Sequence, residues 1–175
     1  IDNRKGEKFM EIINGERLVL GTCYYPEHWD ESLWRDDLKR MLENGIEVIR
    51  IAEFAWSKIE RYEGVFNYDF FDRFLDVAAD MGMKVIFCTP TATPPAWLTE
   101  KYPEVLNANM DGVLYRHGGR RHYNYNSPKY QELTRIIVEK SASHYAKHPA
   151  IIGWQIDNEI NCEKNEFYSE SDTIA

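Results

Sequence analysis

Four short apolar runs, separated by amphipathic segments with few residues between them, constrain this chain more than any other feature. Leu18-Val19-Leu20-Gly21-Thr22-Cys23-Tyr24-Tyr25 reads as a first strand, and Trp34 to Asn44 follows as a helix. There Trp34, Leu38, Met41 and Leu42 form one stripe, and Asn44-Gly45 supplies the stop. Ile46 to Ala52 is a second strand. A helix from Phe70 to Met81 has Asp69 as its expected cap, Phe71, Phe74, Leu75 and Ala78 at helical spacing, and Gly82 as its end. Lys84 to Thr89 is a third strand. Ser127-Pro128 opens a helix reaching about Tyr145, with Pro128 suited to its first turn. After Pro149 comes a fourth run, Ile151 to Asp157, which predicts a buried parallel strand delivering a carboxylate at its C-terminal end.

The order βαβαβαβ predicts a parallel sheet with helical crossovers, which a doubly wound sheet and a (β/α)8 barrel both satisfy. No G-x-G-x-x-G follows the first strand, which disfavours a dinucleotide fold. Polar and aromatic residues instead load the strand ends: Tyr24 to Trp29, Glu53 to Ser57, Thr89 to Trp97, and Asp157-Asn158-Glu159. A barrel builds its active site there. The expected fold class is therefore α/β of the (β/α)8 TIM-barrel type. A complete barrel takes about 250 residues. With four strands in 175 residues, residues 1–175 are expected to be the N-terminal portion of a catalytic barrel whose second half is absent.

Composition narrows the function. A chain that is 43% hydrophobic and 14% aromatic is not disordered. Its net charge of -8 argues against nucleic acid or an anionic membrane as partner. No apolar stretch approaches the roughly 20 residues needed to cross a bilayer. Three scattered cysteines, Cys23, Cys88 and Cys162, fit a reducing compartment, with Cys23 and Cys88 expected to be buried within strands. Ile1 to Lys5 does not read as a signal peptide, and the absence of an initiator Met suggests that the true N-terminus was removed or not included. The expectation is a cytoplasmic enzyme piece.

Asn158-Glu159 is the strongest chemical signal. Glu159 would be a carboxylic acid, buried enough to hold its proton, that protonates a glycosidic oxygen and later deprotonates water. Asn158 would donate to a sugar hydroxyl beside the reacting carbon. The plain structural reading is a capping Asn and a solvated Glu. On these two residues alone the readings balance, and the apolar strand and aromatic loops tip them towards chemistry. Arg50 lies in an apolar strand and needs a partner: it would either orient a catalytic carboxylate by a bidentate pair or simply pair with a core acid such as Glu53 or Asp157. Arg120-Arg121 reads by composition as a solvated basic turn. Of Tyr24, Tyr25, Trp29, Trp56, Trp97 and Trp154, one or two are expected to touch substrate and the rest to pack. His28 reads more readily as a surface residue. No C-x-x-C occurs and the cysteines have no ligand-like spacing, so neither metal nor cofactor is expected.

Tyr24 to Trp29, Arg50 to Ser57, Thr89 to Trp97 and Trp154 to Glu159, in this order, resemble the N-terminal part of glycoside hydrolase family 42, β-galactosidases with a clan A (β/α)8 domain. The resemblance implies Glu159 as acid/base, Asn158 beside the scissile bond, and Arg120 as the substrate-binding arginine. It further implies retaining hydrolysis of terminal β-D-galactose through a galactosyl-enzyme, and a homotrimeric parent. Two departures stand out. Some members hold zinc with four cysteines, but Asn124 and Tyr168-Ser169-Glu170 occupy those regions here. The family's nucleophile lies far downstream, whereas Glu163, Glu166 and Glu170 follow Glu159 too closely and read as a solvated segment. The chain alone is therefore expected to show essentially no turnover, and to expose two open sheet edges and an apolar inner face. The alternatives are another clan A retaining β-glycosidase, or a non-catalytic sugar-binding half-barrel.

Overall fold

The apolar runs become strands and the striped segments become helices. The computed structural model describes residues 18–160 and 166–172. In chain order the elements are β1 (Leu20–Cys23), α1 (Trp34–Glu43), β2 (Ile46–Ile51), α2 (Trp56–Ile59), β3 (Glu60–Tyr62), β4 (Val65–Phe66), α3 (Asp69–Met81), β5 (Lys84–Cys88), α4 (Ala96–Lys101), α5 (Pro128–Tyr145) and β6 (Ile151–Gln155). Among the described residues no helix is long and apolar enough to cross a membrane.

Strands β1, β2, β5 and β6 form one sheet in that spatial order, and every neighbouring pair is parallel. Order in space follows order in the chain. A doubly wound sheet reverses direction at a switch point; a barrel does not. The registers Cys23↔Arg50, Arg50↔Ile86 and Cys88↔Gln155 bring the C-terminal ends of all four strands to one side.

The helices bury the stripes that their spacing dictates. On α3, Phe71, Phe74, Leu75 and Ala78 are fully buried. Trp34 of α1 meets Phe70 and Phe74 edge-on, each with ring centres 5.2 Å apart. Phe87 of β5 joins the layers by touching Phe71, Tyr145 and Trp154. At the start of α5 the Ser127 hydroxyl accepts from the Tyr130 amide, with Pro128 in the first turn. Gly82 ends α3 at a φ of 79°, a conformation open to glycine at little cost.

Several expectations need correction. Asp69 does not cap α3: it is the first residue of that helix, and the Asn67 side chain accepts from its amide at 2.9 Å. The first strand is only Leu20–Cys23, exposed throughout, and Cys23 is exposed rather than buried. The fourth run is strand only to Gln155 and is half-buried, with Ile156 72% exposed. Both β1 and β6 are outer strands, so each has one flank that no other described strand covers. The β3–β4 hairpin was not foreseen. It is tied by the Glu60 carboxylate, which accepts from Trp56 Nε1 at 2.7 Å and from the Gly64 amide at 2.8 Å. Cys162 and Glu163 lie outside the described residues.

Candidate functional site

The end of β2 carries a buried carboxylate. Glu53 is 1% exposed, and its Oε1 accepts from Arg50 Nη2 at 2.6 Å and from the Tyr25 hydroxyl at 2.7 Å. The Cys88 thiol faces its other oxygen at 3.7 Å. Of the two partners foreseen for Arg50, Glu53 is the one it takes. Burial, and then the hydrogen bond to Glu53, pushes the Tyr25 hydroxyl up to about 12. Burial, and then the Glu53 charge, likewise pushes the Cys88 thiol up to about 12. Both therefore stay protonated at neutral pH, and Cys88 is inert as a nucleophile.

At the exit of β6 the backbone turns through two left-handed residues, Asp157 (φ 54°) and Glu159 (φ 48°). Ala52 does the same at the exit of β2 (φ 73°). Left-handed residues other than glycine cost energy and gather where a side chain has to be aimed. Asp157 anchors the turn. Its amide donates to Thr89 Oγ1 at 2.7 Å, and its carboxylate accepts from Thr91 Oγ1 at 2.8 Å and from the Asn158 amide at 2.6 Å. Arg121 closes on the same carboxylate at 3.3 Å. Asn158 is buried and packed beside Gln155, whose Nε2 donates to its Oδ1 at 3.1 Å.

The loop before α5 supplies the third member. Arg120 forms an ion pair and a hydrogen bond with Glu159 Oε2. Its guanidinium also lies 5.6 Å from the centre of the Phe54 ring. The structure thus brings Glu159, Asn158 and Arg120 together at one end of the sheet. It corrects two expectations. The Glu159 side chain is 54% exposed rather than buried, because it follows an outer strand. Arg121 is 1% exposed, not part of a solvated turn, and its Nη1 also donates to the Tyr123 hydroxyl at 2.8 Å.

The aromatic set divides. Trp56 is fully buried, and Tyr24 is core with its hydroxyl on Asp37 at 2.8 Å. Trp154 packs on Phe87. Tyr25 and Trp97 are half-buried and Trp29 is exposed. His28 is exposed and stacks on Tyr25 at 5.2 Å. A cleft of about 1080 Å³ opens beside Phe54 and Trp97, bounded by His28, Lys58 and Tyr62. The sequence reading did not rank Glu53 as the centre of a network or Asp157 as an anchor. The available signal was a carboxylate at the end of the second and fourth apolar runs.

Among the described residues no three His, Cys, Asp or Glu side chains converge as a metal-binding set. Asn124 is fully buried and donates to Ser169 Oγ and, at 2.6 Å, to Asp172 Oδ2. An amide, a hydroxyl and a carboxylate thus tie residues 169–172 to the loop before α5. Glu166 and Glu170 are exposed.

Comparison with known proteins places this geometry. The chain is 43% identical over 147 residues to a β-galactosidase of Halorubrum lacusprofundi, covering 84% of this chain and 21% of that protein. It is 46% identical over 144 residues to a β-galactosidase of a Thermus species, covering 82% and 22%. The crystal structure of a β-galactosidase from the psychrophilic Marinomonas ef1 superposes with a TM-score of 0.86 at 42% identity, covering 90% of this chain and 24% of that one. The chain therefore spans about a fifth to a quarter of the length of these relatives. The fold is α/β of the (β/α)8 barrel type, with four of its parallel strands among the described residues. The family model Glyco_hydro_42, described as Beta-galactosidase, matches residues 23–174 and so takes in every strand end that builds the site. The chain belongs to glycoside hydrolase family 42.

Proposed function

We propose that residues 1–175 are the N-terminal portion of the catalytic barrel of a retaining β-galactosidase, with Glu159 as its acid/base. The observation that carries this reading is the convergence of Glu159, Asn158 and Arg120 past the end of β6. In the reaction, a nucleophilic carboxylate from the second half of the barrel attacks the anomeric carbon of a terminal β-D-galactose. Glu159 gives its proton to the departing glycosidic oxygen. Water then opens the galactosyl-enzyme while Glu159 takes its proton, so configuration at the anomeric carbon is retained. Asn158 donates to the hydroxyl next to the reacting carbon. Arg120 binds galactose hydroxyls.

The Arg120–Glu159 pair defines the first step. Glu159 has to leave Arg120 to hand over a proton, and an incoming sugar that takes Arg120 as a donor releases it. The reaction requires no cofactor. The substrate class is β-galactosides, including oligosaccharides, and neither nucleic acid nor membrane is a partner. The parent is cytoplasmic and homotrimeric in this reading.

The test compares hydrolysis of a β-galactoside with an activated aryl leaving group by this chain alone and by the chain extended through a full barrel. The expected result is turnover only in the extended form, lost in Glu159→Ala and restored by azide. Turnover by the 175-residue chain itself would overturn the proposal that the nucleophile lies outside it.

A further inference from the structure

Arg50 on β2 and Gln155 on β6 are 105 residues apart in the chain and flank β5 in the sheet. Arg50 Nη1 donates to Gln155 Oε1 at 2.7 Å. A guanidinium has donors and no acceptor, so the atom facing it has to be the amide oxygen. The same guanidinium is held in place by Glu53, which accepts from Nη2 at 2.6 Å and from Tyr25 at 2.7 Å. With its oxygen assigned, Gln155 must present its NH2 group on the opposite side. That group donates to the Asp157 carbonyl at 2.8 Å and to Asn158 Oδ1 at 3.1 Å. Both hydrogens are used. Asn158 is therefore held with its oxygen towards Gln155 and its own NH2 end turned away.

We infer that Gln155 is the positioning residue that sets the polarity of the Asn158 amide, so that Asn158 meets the sugar as a hydrogen-bond donor and never as an acceptor. The inference rests on the reading of Asn158 as a sugar ligand. An asparagine amide is nearly symmetric in shape, so packing alone does not choose between its two orientations. The wrong one would present a carbonyl, so that the sugar hydroxyl would have to give it its single proton instead of accepting one. The choice is made two strands away, by the ion pair of Arg50 with Glu53. It is transmitted as a chain of donors and acceptors that runs in one direction: Arg50 to Gln155, then Gln155 to Asn158. Gln155 does not itself touch the sugar.

The substitution that tests this is Gln155→Glu. A carboxylate keeps the shape of the amide and still accepts from Arg50, but it presents an acceptor to Asn158. The Asn158 amide then turns over to donate to residue 155 and leaves Oδ1 facing the sugar. The readout, in the full-length enzyme that carries this segment, is kcat/KM for an aryl β-galactoside divided by that for its 2-deoxy counterpart. A general structural fault lowers both alike. A reversed amide lowers only the substrate that has the 2-hydroxyl. The ratio is expected to fall about 10- to 100-fold, the worth of one buried polar contact replaced by a mismatch. Gln155→Met, which imposes no polarity, provides the same readout where the glutamate variant does not fold. Where turnover is undetectable, the ratio of dissociation constants for galactose and 2-deoxygalactose replaces it. Asn158→Ala separates the two levels of the proposal. If Asn158→Ala leaves the ratio unchanged, Asn158 is not the ligand of the 2-hydroxyl and the underlying reading fails. If Asn158→Ala collapses the ratio and the Gln155 variants keep it, the positioning role of Gln155 is overturned.

Discussion

Arg121 reaches the Asp157 carboxylate at 3.3 Å with its side chain only 1% exposed, so a full guanidinium charge in the interior faces the residue that anchors the β6 exit. Removing one partner of a buried pair leaves the other charge stranded, which costs more than the pair itself contributes. Asp157→Asn isolates that effect. Asparagine tolerates the left-handed backbone at this position and keeps an oxygen for Thr91. The variant is expected to lose about 3 kcal/mol in urea unfolding. A loss below about 0.5 kcal/mol would show that Tyr123 alone suffices for Arg121.

His122 makes stability depend on pH. Its Nδ1 donates to the Gly119 carbonyl at 2.6 Å, while Nε2 is buried without a partner among the described residues. Burial first, and His117 in addition, holds the imidazole below its ordinary value, against the opposing Gly119 contact. In the unfolded chain the ring gains its proton near pH 6.5. The folded protein resists that proton. The His122 contribution is therefore fully present above about pH 6.5 and is lost as the pH falls through the lower folded value. Urea midpoints measured from pH 7.5 to 5 should decline, and His122→Asn should flatten the part of the decline that begins near 6.5. An unchanged slope would mean that the ring is hydrated.

How much of this was readable in sequence follows from how local each signal is. Phe71, Phe74, Leu75 and Ala78 are spaced within a single helix, so α3 was legible, as was the stop at Gly82. Asn158-Glu159 was legible because an apolar strand points at it. The β3–β4 hairpin was not, since strands of three and two residues are too short to display alternation. The Arg50–Gln155 contact depends on the registers of three strands at once, which no window along the chain contains. The burial expected of Glu159 and Cys23 failed for one reason. Each is at or just past an outer strand, and the position of a strand in the sheet is not written in the strand itself.

Glu27 gives the opposite sign. Among the described residues its Oε2 is buried without a hydrogen-bond partner, and burial, the largest influence on it, raises its carboxyl above the usual range. Ionisation is thus harder in the folded state, and stability is lost as pH rises through the folded value. Glu27→Gln removes the charge at the same volume. Its melting temperature should exceed that of the parent at pH 7, with the advantage vanishing below about pH 4, where the unfolded carboxyl is itself protonated. A variant less stable at both values would show that the ionised carboxylate has a favourable role, with nearby Lys58 the first candidate.

The sheet edges govern behaviour in solution. Strand β1 is exposed along its whole length, with Leu20 at 59%, and Ile156 past the end of β6 is 72% exposed. Among the described residues no strand pairs with the outer flank of β1 or of β6. An open edge with apolar side chains invites pairing with another chain, and natural sheets guard such edges with lysine. The 175-residue chain should therefore self-associate in a concentration-dependent way in sedimentation velocity. Leu20→Lys with Ile156→Lys should shift the distribution towards monomer without altering helix content, because neither side chain belongs to the buried core. In the proposed full barrel both edges are paired, so the same two substitutions should leave its assembly state unchanged. If the double variant of the short chain associates as strongly as its parent, the contact lies elsewhere, and the half-buried side chains of the sheet are the next to substitute.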